Sequence, residues 1–334
     1  MLFSSTSTNT PHNGHYHFNC LKAFLILVVA IFLYGCQANS QILEPIITYT
    51  PDQHLVNSRP PAFPPLSTEE RTQDWGKEVT IARAFAYDFD LYRAITSYKR
   101  ALILIPSEYP ERHLEIEYGI ILSYFLGKKY QEVIETFESS SEKNIPSSFA
   151  AFDDLLVILY HSYLRIGQPA KACQILSLIE MRNPFKADHL QLSEAISHAD
   201  FPEIQRIVAK NPSYDDISTF LNQYHKEALS VKKAQTLNAI LPGAGYYYVG
   251  QKKAGTTSFL INALFIAAAY QFFHRGDIAA GIITTSLEMG WYFGGINGAG
   301  LAAKEYNERL YESTAKAAMI RHSLFPILML ETTF

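Results

Sequence analysis

Charge is scarce in this chain. Only 18% of its 334 residues are charged and the net charge is −4. No run of lysines or arginines occurs, which removes the electrostatic footprint that nucleic-acid binding needs. Cysteine is scarcer: Cys20, Cys36 and Cys173 show neither a CxxC nor metal-ligand spacing, so a disulfide framework and a zinc site are not expected. His12, His15 and His17 fall in a leader read as discarded, which leaves them no metal role. No Ser/His/Asp set, metal cluster or phosphate loop stands out. In "LPGAGYYYVGQKKAG", Leu241 to Gly255, the Gly-x-Gly runs into three tyrosines and lacks a third, helix-opening glycine. The expectation is a non-enzyme with no catalytic residues, no metal and no cofactor. What the chain has in quantity is apolar sequence, at 48%.

The first apolar run, "LKAFLILVVAIFLYGC", ends at Cys36. Roughly a dozen apolar residues is short of the 20 or so that span a bilayer, but suits an export signal. Leu33, Tyr34, Gly35 and Cys36 resemble a bacterial lipobox. That resemblance implies cleavage before Cys36 and lipidation of its side chain, with residues 1–36 as signal peptide. An uncleaved N-terminal anchor is the alternative. Residues 37–70 contain prolines at 45, 51, 60, 61, 64 and 65; such sequence is extended and is expected to serve as a tether with no core.

Residues 71–232 carry a repeat. In "FDLYRAITSYKRALILIP", Ala94, Tyr98, Ala101 and Pro106 sit at relative positions 0, 4, 7 and 12. Ala172, Leu176 and Pro184 repeat the small, large and stop positions, and Val133 and Phe137 lie between. Ala94, Val133 and Ala172 are spaced by 39 residues each time. A small residue lets two helices approach, a large one fills the gap between them, and proline stops the second helix. These residues resemble the tetratricopeptide family over about residues 72–184, with a longer period than usual. "LSEAISHADFPEIQRIVAKNP" reads as a fourth, degenerate pair. The resemblance implies a solenoid whose first helices line a concave face. Its register places Arg83, Tyr87, Tyr118, Phe125, His161 and Arg165 there, as candidate contacts to an extended or helical peptide.

The C-terminal third has two long apolar runs, Ala254–Phe273 and Ile278–Ala303. Each is long enough as a helix to cross the roughly 30 Å hydrocarbon core, and residues 233–312 are read as a two-helix membrane domain. Gly290, Gly294, Gly295, Gly298 and Ala302 would permit close helix packing. Tyr246, Tyr247 and Tyr248 suit an aromatic belt, and Lys252 and Lys253 the head groups. Pro242, Gly243, Gly245, Tyr248 and Gly250 resemble the opening of a family of small bacterial membrane domains with a Pro-Gly-x-Gly-Gln-x-Tyr-x-Gly signature, except that Tyr246 stands at the Gln position. That family implies no defined activity. Glu288 is costly within a membrane, roughly 2.5–3.5 kcal/mol on insertion scales. It is expected to face a polar partner on the first run, with Asn262 and Gln271 the candidates, as a structural clasp. Residues 313–334 are expected to be a packed tail.

The fold expected is therefore all-α: a tetratricopeptide-type solenoid followed by a transmembrane helical hairpin. The function expected is a membrane-anchored cell-envelope scaffold, its repeats periplasmic and holding a protein or peptide, its hairpin in the lipid bilayer, with no nucleic acid involved. The alternatives are an accessory subunit of a transport or conductance assembly that uses Glu288, and a cytoplasm-facing repeat protein. Lys252, Lys253 and Lys304 favour the latter topology by the positive-inside tendency; the cleavage-type pattern at Cys36 favours export.

Overall fold

Every regular element in the computed structural model, which describes residues 43–140 and 146–334, is helical, apart from one isolated parallel bridge between Pro61 and Thr333. The expected all-α class is what the chain adopts. Two compact units divide it. One is Pro45–Gln223 with Glu312–Phe334; the other is Tyr224–Tyr311 with the described residues up to Glu44.

The first unit opens with two single-turn helices, α1 (Gln53–Asn57) and α2 (Thr68–Thr72). Eight helices follow: α3 (Asp74–Tyr87), α4 (Leu91–Leu104), α5 (Pro110–Leu126), α6 (Tyr130–Ser139), α7 (Phe152–Arg165), α8 (Pro169–Arg182), α9 (Pro184–Ser197) and α10 (Phe201–Val208). Each from α3 to α10 packs against the next in sequence. Their starts are specified locally. Asp90 and Asp200 each accept a backbone N–H from the first turn of α4 and α10 at 3.2 Å, and proline opens α5, α8 and α9.

One turn recurs between the members of each pair. Phe89, Lys128, Gly167 and Ala199 all have positive φ, from 52° to 74°, and the flanking residues close the same backbone bonds onto the end of the first helix. Asp90 N–H, for example, donates to Phe85 O at 2.9 Å, and Asp200 N–H to Ala195 O at 2.9 Å. The small position of each second helix, Ala94, Val133, Ala172 and Ile204, is fully buried. Positions 4 and 7 vary more: Tyr98 is buried, whereas Leu176 is half-buried and its unit relies on Ile179 instead.

The proline-rich segment departs from the tether expected of it. From residue 43 onward it packs: Ile47, Val56 and Leu66 are buried, and a capping box between Ser67 and Glu70 starts α2. Val56 sits on α1, and Ile47 and Leu66 lie just after prolines that restrict the chain. In the C-terminal tail Leu324, Phe325, Ile327, Met329 and Leu330 are buried.

The second unit contains the end of α11 (Asp215–Glu227), then α12 (Val231–Ile240), α13 (Ala244–Tyr248), α14 (Lys252–Arg275) and α15 (Ile278–Arg321) as far as Tyr311. Val231, Ala234, Val249, Ala302 and Ala303 form its core, with Leu229, Tyr246 and Tyr248 packed against them. Two glycines shape the linking turns. Gly243 has φ +92°, and a Cβ there would collide with the carbonyl of Gly255; Gly250 has φ +86° with open space beside it. α14 is the one described helix long and apolar enough to cross a membrane. The second apolar run, residues 278–303, is the first part of the 44-residue α15.

Candidate functional site

The six side chains expected on an open concave face are treated very differently by the fold. Arg83 is neutralised: it pairs with Glu115, which also accepts from Arg112 at 2.6 Å. Arg112 in turn forks onto Glu70 at 2.9 and 3.0 Å and donates to the carbonyls of Pro64 and Pro65. Its side-chain bonds hold the Glu70 carboxyl below the usual range. Tyr87 is exposed, while its carbonyl accepts from Gln53 and Asn57 at 2.8 Å each. Tyr118 and Phe125 are buried, which corrects the expectation that they face a partner directly. Tyr118 sits against the rings of Phe63 and Phe149, at 5.9 and 6.0 Å between centroids. The physical reason is that Phe63 of the proline-rich segment and Phe149 of the connection before α7 lie on Tyr118, while Phe125 packs beside Tyr130 and His161. An apolar surface of this kind is covered by whatever apolar chain is already attached and within reach.

Asp154, on the first turn of α7, organises that cover, and sequence reasoning did not single it out. Its side chain is buried. Oδ1 accepts the N–H of Glu331 at 2.8 Å; Oδ2 accepts the N–H of Thr332 at 2.9 Å and its hydroxyl at 2.6 Å. Burial pushes the Asp154 carboxyl up, and the donors from Thr332 and Glu331 act against that. Around this anchor, Arg59 donates to Ile327 O at 2.7 Å, Lys186 pairs with Glu331 at 2.5 Å, and Thr333 N–H donates to Pro60 O at 3.0 Å. Two stretches of the chain, at Arg59–Pro60 and Ile327–Thr333, thus meet beside α7. The signal available in the sequence was the pair Asp153–Asp154 at the head of "LLVILY": one carboxylate of such a pair must turn toward the buried side, where it needs donors.

Between the two ends and helices α5, α7 and α9 a cavity of about 350 Å³ remains. Phe125, Tyr130 and His161 form its wall, with ring centroids 5.3–6.2 Å apart in edge-to-face pairs. Tyr49 and Phe325, stacked at 4.9 Å, stand at the side contributed by the chain ends. Arg165 Nε donates to His161 Nε2 at 3.4 Å. Burial first, then the Arg165 charge, lowers the His161 pKa to about 3, so the ring is neutral at physiological pH. The structure therefore does bring Phe125, His161 and Arg165 together, and leaves Arg83, Tyr87 and Tyr118 apart from them.

In the second unit, Asn262 and Glu288 are both buried, but no hydrogen bond joins them. Asn262 Nδ2 donates to Ser258 O within its own helix at 2.6 Å, and among the described residues Asn262 Oδ1 and Glu288 Oε2 have no hydrogen-bond partner. Other amides of this unit are bonded: Asn307 binds both the N–H and the carbonyl of Leu229, at 2.7 and 2.8 Å, and Asn238 accepts from Gly243 N–H at 2.8 Å. Of the three tyrosines, only Tyr247 is exposed. Tyr248 accepts from Ser230 N–H and lies under Lys233. Gly295 and Gly298 face Asn238 and Tyr246, whereas Gly290 and Gly294 meet nothing within 4 Å. Cys36, the proposed lipidation site, lies outside the described residues. Comparison with known proteins found no matching family model, no matching curated protein and no matching solved structure.

Proposed function

We propose that this protein is a non-catalytic scaffold of the bacterial cell envelope: a tetratricopeptide-type solenoid that holds a protein partner, attached to the membrane by Cys36 and by a hairpin of α14 and α15. The observation that carries this reading is the way the groove treats extended chain. Asp154 on α7 binds main-chain N–H groups of two successive tail residues, Glu331 and Thr332, rather than only side chains, which is how a surface accepts a peptide segment. The recurring turn and the buried small position support the solenoid. The membrane part is supported by Leu260, Leu264, Ile266 and Tyr270 on α14 and Ile282 and Leu287 on α15, all more than half exposed. So much apolar surface, on α14 along a run of twenty residues without a charge (254–273), calls for lipid or protein cover.

A photo-crosslinking residue placed at Tyr87 and, separately, at Arg165 tests the partner in intact cells. Both positions should trap the same protein, identified by mass spectrometry, and Tyr92 on the outer helix α4 should not. Absence of a product at both groove positions, or the same product at Tyr92, rejects the scaffold reading. The second reading, a transport accessory, is favoured by one observation: the buried, unpartnered Oε2 of Glu288. It predicts that Glu288→Gln inserts normally and keeps the crosslink, yet fails to complement a deletion strain.

A further inference from the structure

We propose that the cavity between α5, α7 and α9 is a binding site for a small organic acid, a carboxylate carried on a flat or short apolar body. This stands whether or not the repeats hold a protein partner. The volume, about 350 Å³, lies at the lower end of small-molecule sites. The composition has the division such sites use. Phe125, Tyr130 and His161 give a continuous aromatic wall, and Tyr49 and Phe325 face the same space.

The polar groups are cationic and available. Arg165 and Lys128 both line the cavity, and among the described residues neither forms an ion pair. Arg165 uses only its Nε, on His161, so the terminal nitrogens of the guanidinium remain for a ligand. Their planar fork matches a carboxylate. His161 supports this without competing. Its ring is neutral, so it accepts from Arg165 and orients the guanidinium while adding no second charge beside it. Glu194, the one acid on the wall, already meets His198 at 3.2 Å. It would repel an anion placed against it, which puts the carboxylate at the Lys128–Arg165 side and the apolar body toward the rings. Both cations are exposed, and the one side-chain hydrogen bond recorded for them among the described residues is that of Arg165 to His161 on its own helix.

The test is isothermal titration calorimetry on the full-length protein in lipid nanodiscs, with 3-phenylpropionate as the acid and 3-phenylpropanamide as its uncharged isostere. The acid should bind with 1:1 stoichiometry and weaken as salt rises. The amide should bind about tenfold or more weakly, as should the acid to Arg165→Gln and to Lys128→Gln, because each change removes a charge-assisted contact. Helical circular dichroism of both variants should match the parent, since both side chains are exposed. No binding of the acid to the parent protein overturns the proposal. So does equal affinity for acid and amide, or full affinity in the double variant.

Discussion

Asp154 holds Thr332 twice, through its backbone N–H at 2.9 Å and its hydroxyl at 2.6 Å, across 178 positions of sequence. A third bond, to Glu331 N–H, completes the arrangement. One buried carboxylate thus holds three donors of the C-terminal tail, beside the contacts that Arg59, Pro60 and Lys186 make with it.

Removing that carboxylate should free the tail. Asp154→Ala strands three donors in a buried place, at a cost of about 1–3 kcal/mol for such unsatisfied groups. Hydrogen exchange at residues 330–333 should accelerate, and the chemical denaturation midpoint should fall. Thr332→Val removes only one of the three bonds and should cost less, about 1 kcal/mol. If exchange in the tail is unchanged in Asp154→Ala, the carboxylate is not the anchor.

The turn at Gly243 makes a second prediction, through contrast with Gly250. Both have positive φ, but only Gly243 has a neighbouring carbonyl where a Cβ would go. Gly250→Ala should therefore cost about 1 kcal/mol, the conformational penalty alone, and Gly243→Ala about 2–3 kcal/mol or more. Thermal melting of the detergent-extracted protein measures the order; equal losses would show that the close approach to Gly255 carries no weight.

His161 makes a prediction about acid. Its pKa falls from 6.5 to about 3 on folding, through burial and the Arg165 charge. The unfolded chain then binds a proton that the folded chain refuses, so this contribution is intact above pH 6.5 and is lost progressively as pH falls toward 3. Stability plotted against pH across that window should be flatter for His161→Gln than for the parent. An unchanged slope would mean that the imidazole is solvated in the folded state.

Much of the helical frame was legible beforehand, because it rests on short-range patterns. The spacing of Ala94, Val133 and Ala172 located the second helix of three pairs, and all three are fully buried. The 39-residue period reappears in the positive φ of Phe89, Lys128 and Gly167. The fourth pair, with Ala199 and Ile204, comes 32 residues later, so a search at constant period weakens there. Of the site, the register picked out Phe125, His161 and Arg165, which do share a cavity, because residues on one helical face repeat at known intervals.

What the amino-acid order determined by itself, then, is local: which residues turn into helix, where each helix stops, and which side of each is apolar. Which surfaces remain open was decided only by tertiary structure. Tyr118 carries the pattern of an exposed groove residue, yet Phe63 and Phe149 close over it. Asn262 and Glu288 lie at plausible heights on successive apolar runs, yet Asn262 bonds its own helix and Glu288 keeps an unpartnered oxygen. Asp154 looks like one of two acids at a helix start, yet it anchors the far end of the chain. Periodicity encodes the direction of a side chain relative to its own helix. The groups that meet it come from elsewhere in the chain, at distances no local pattern records, and only packing selects them.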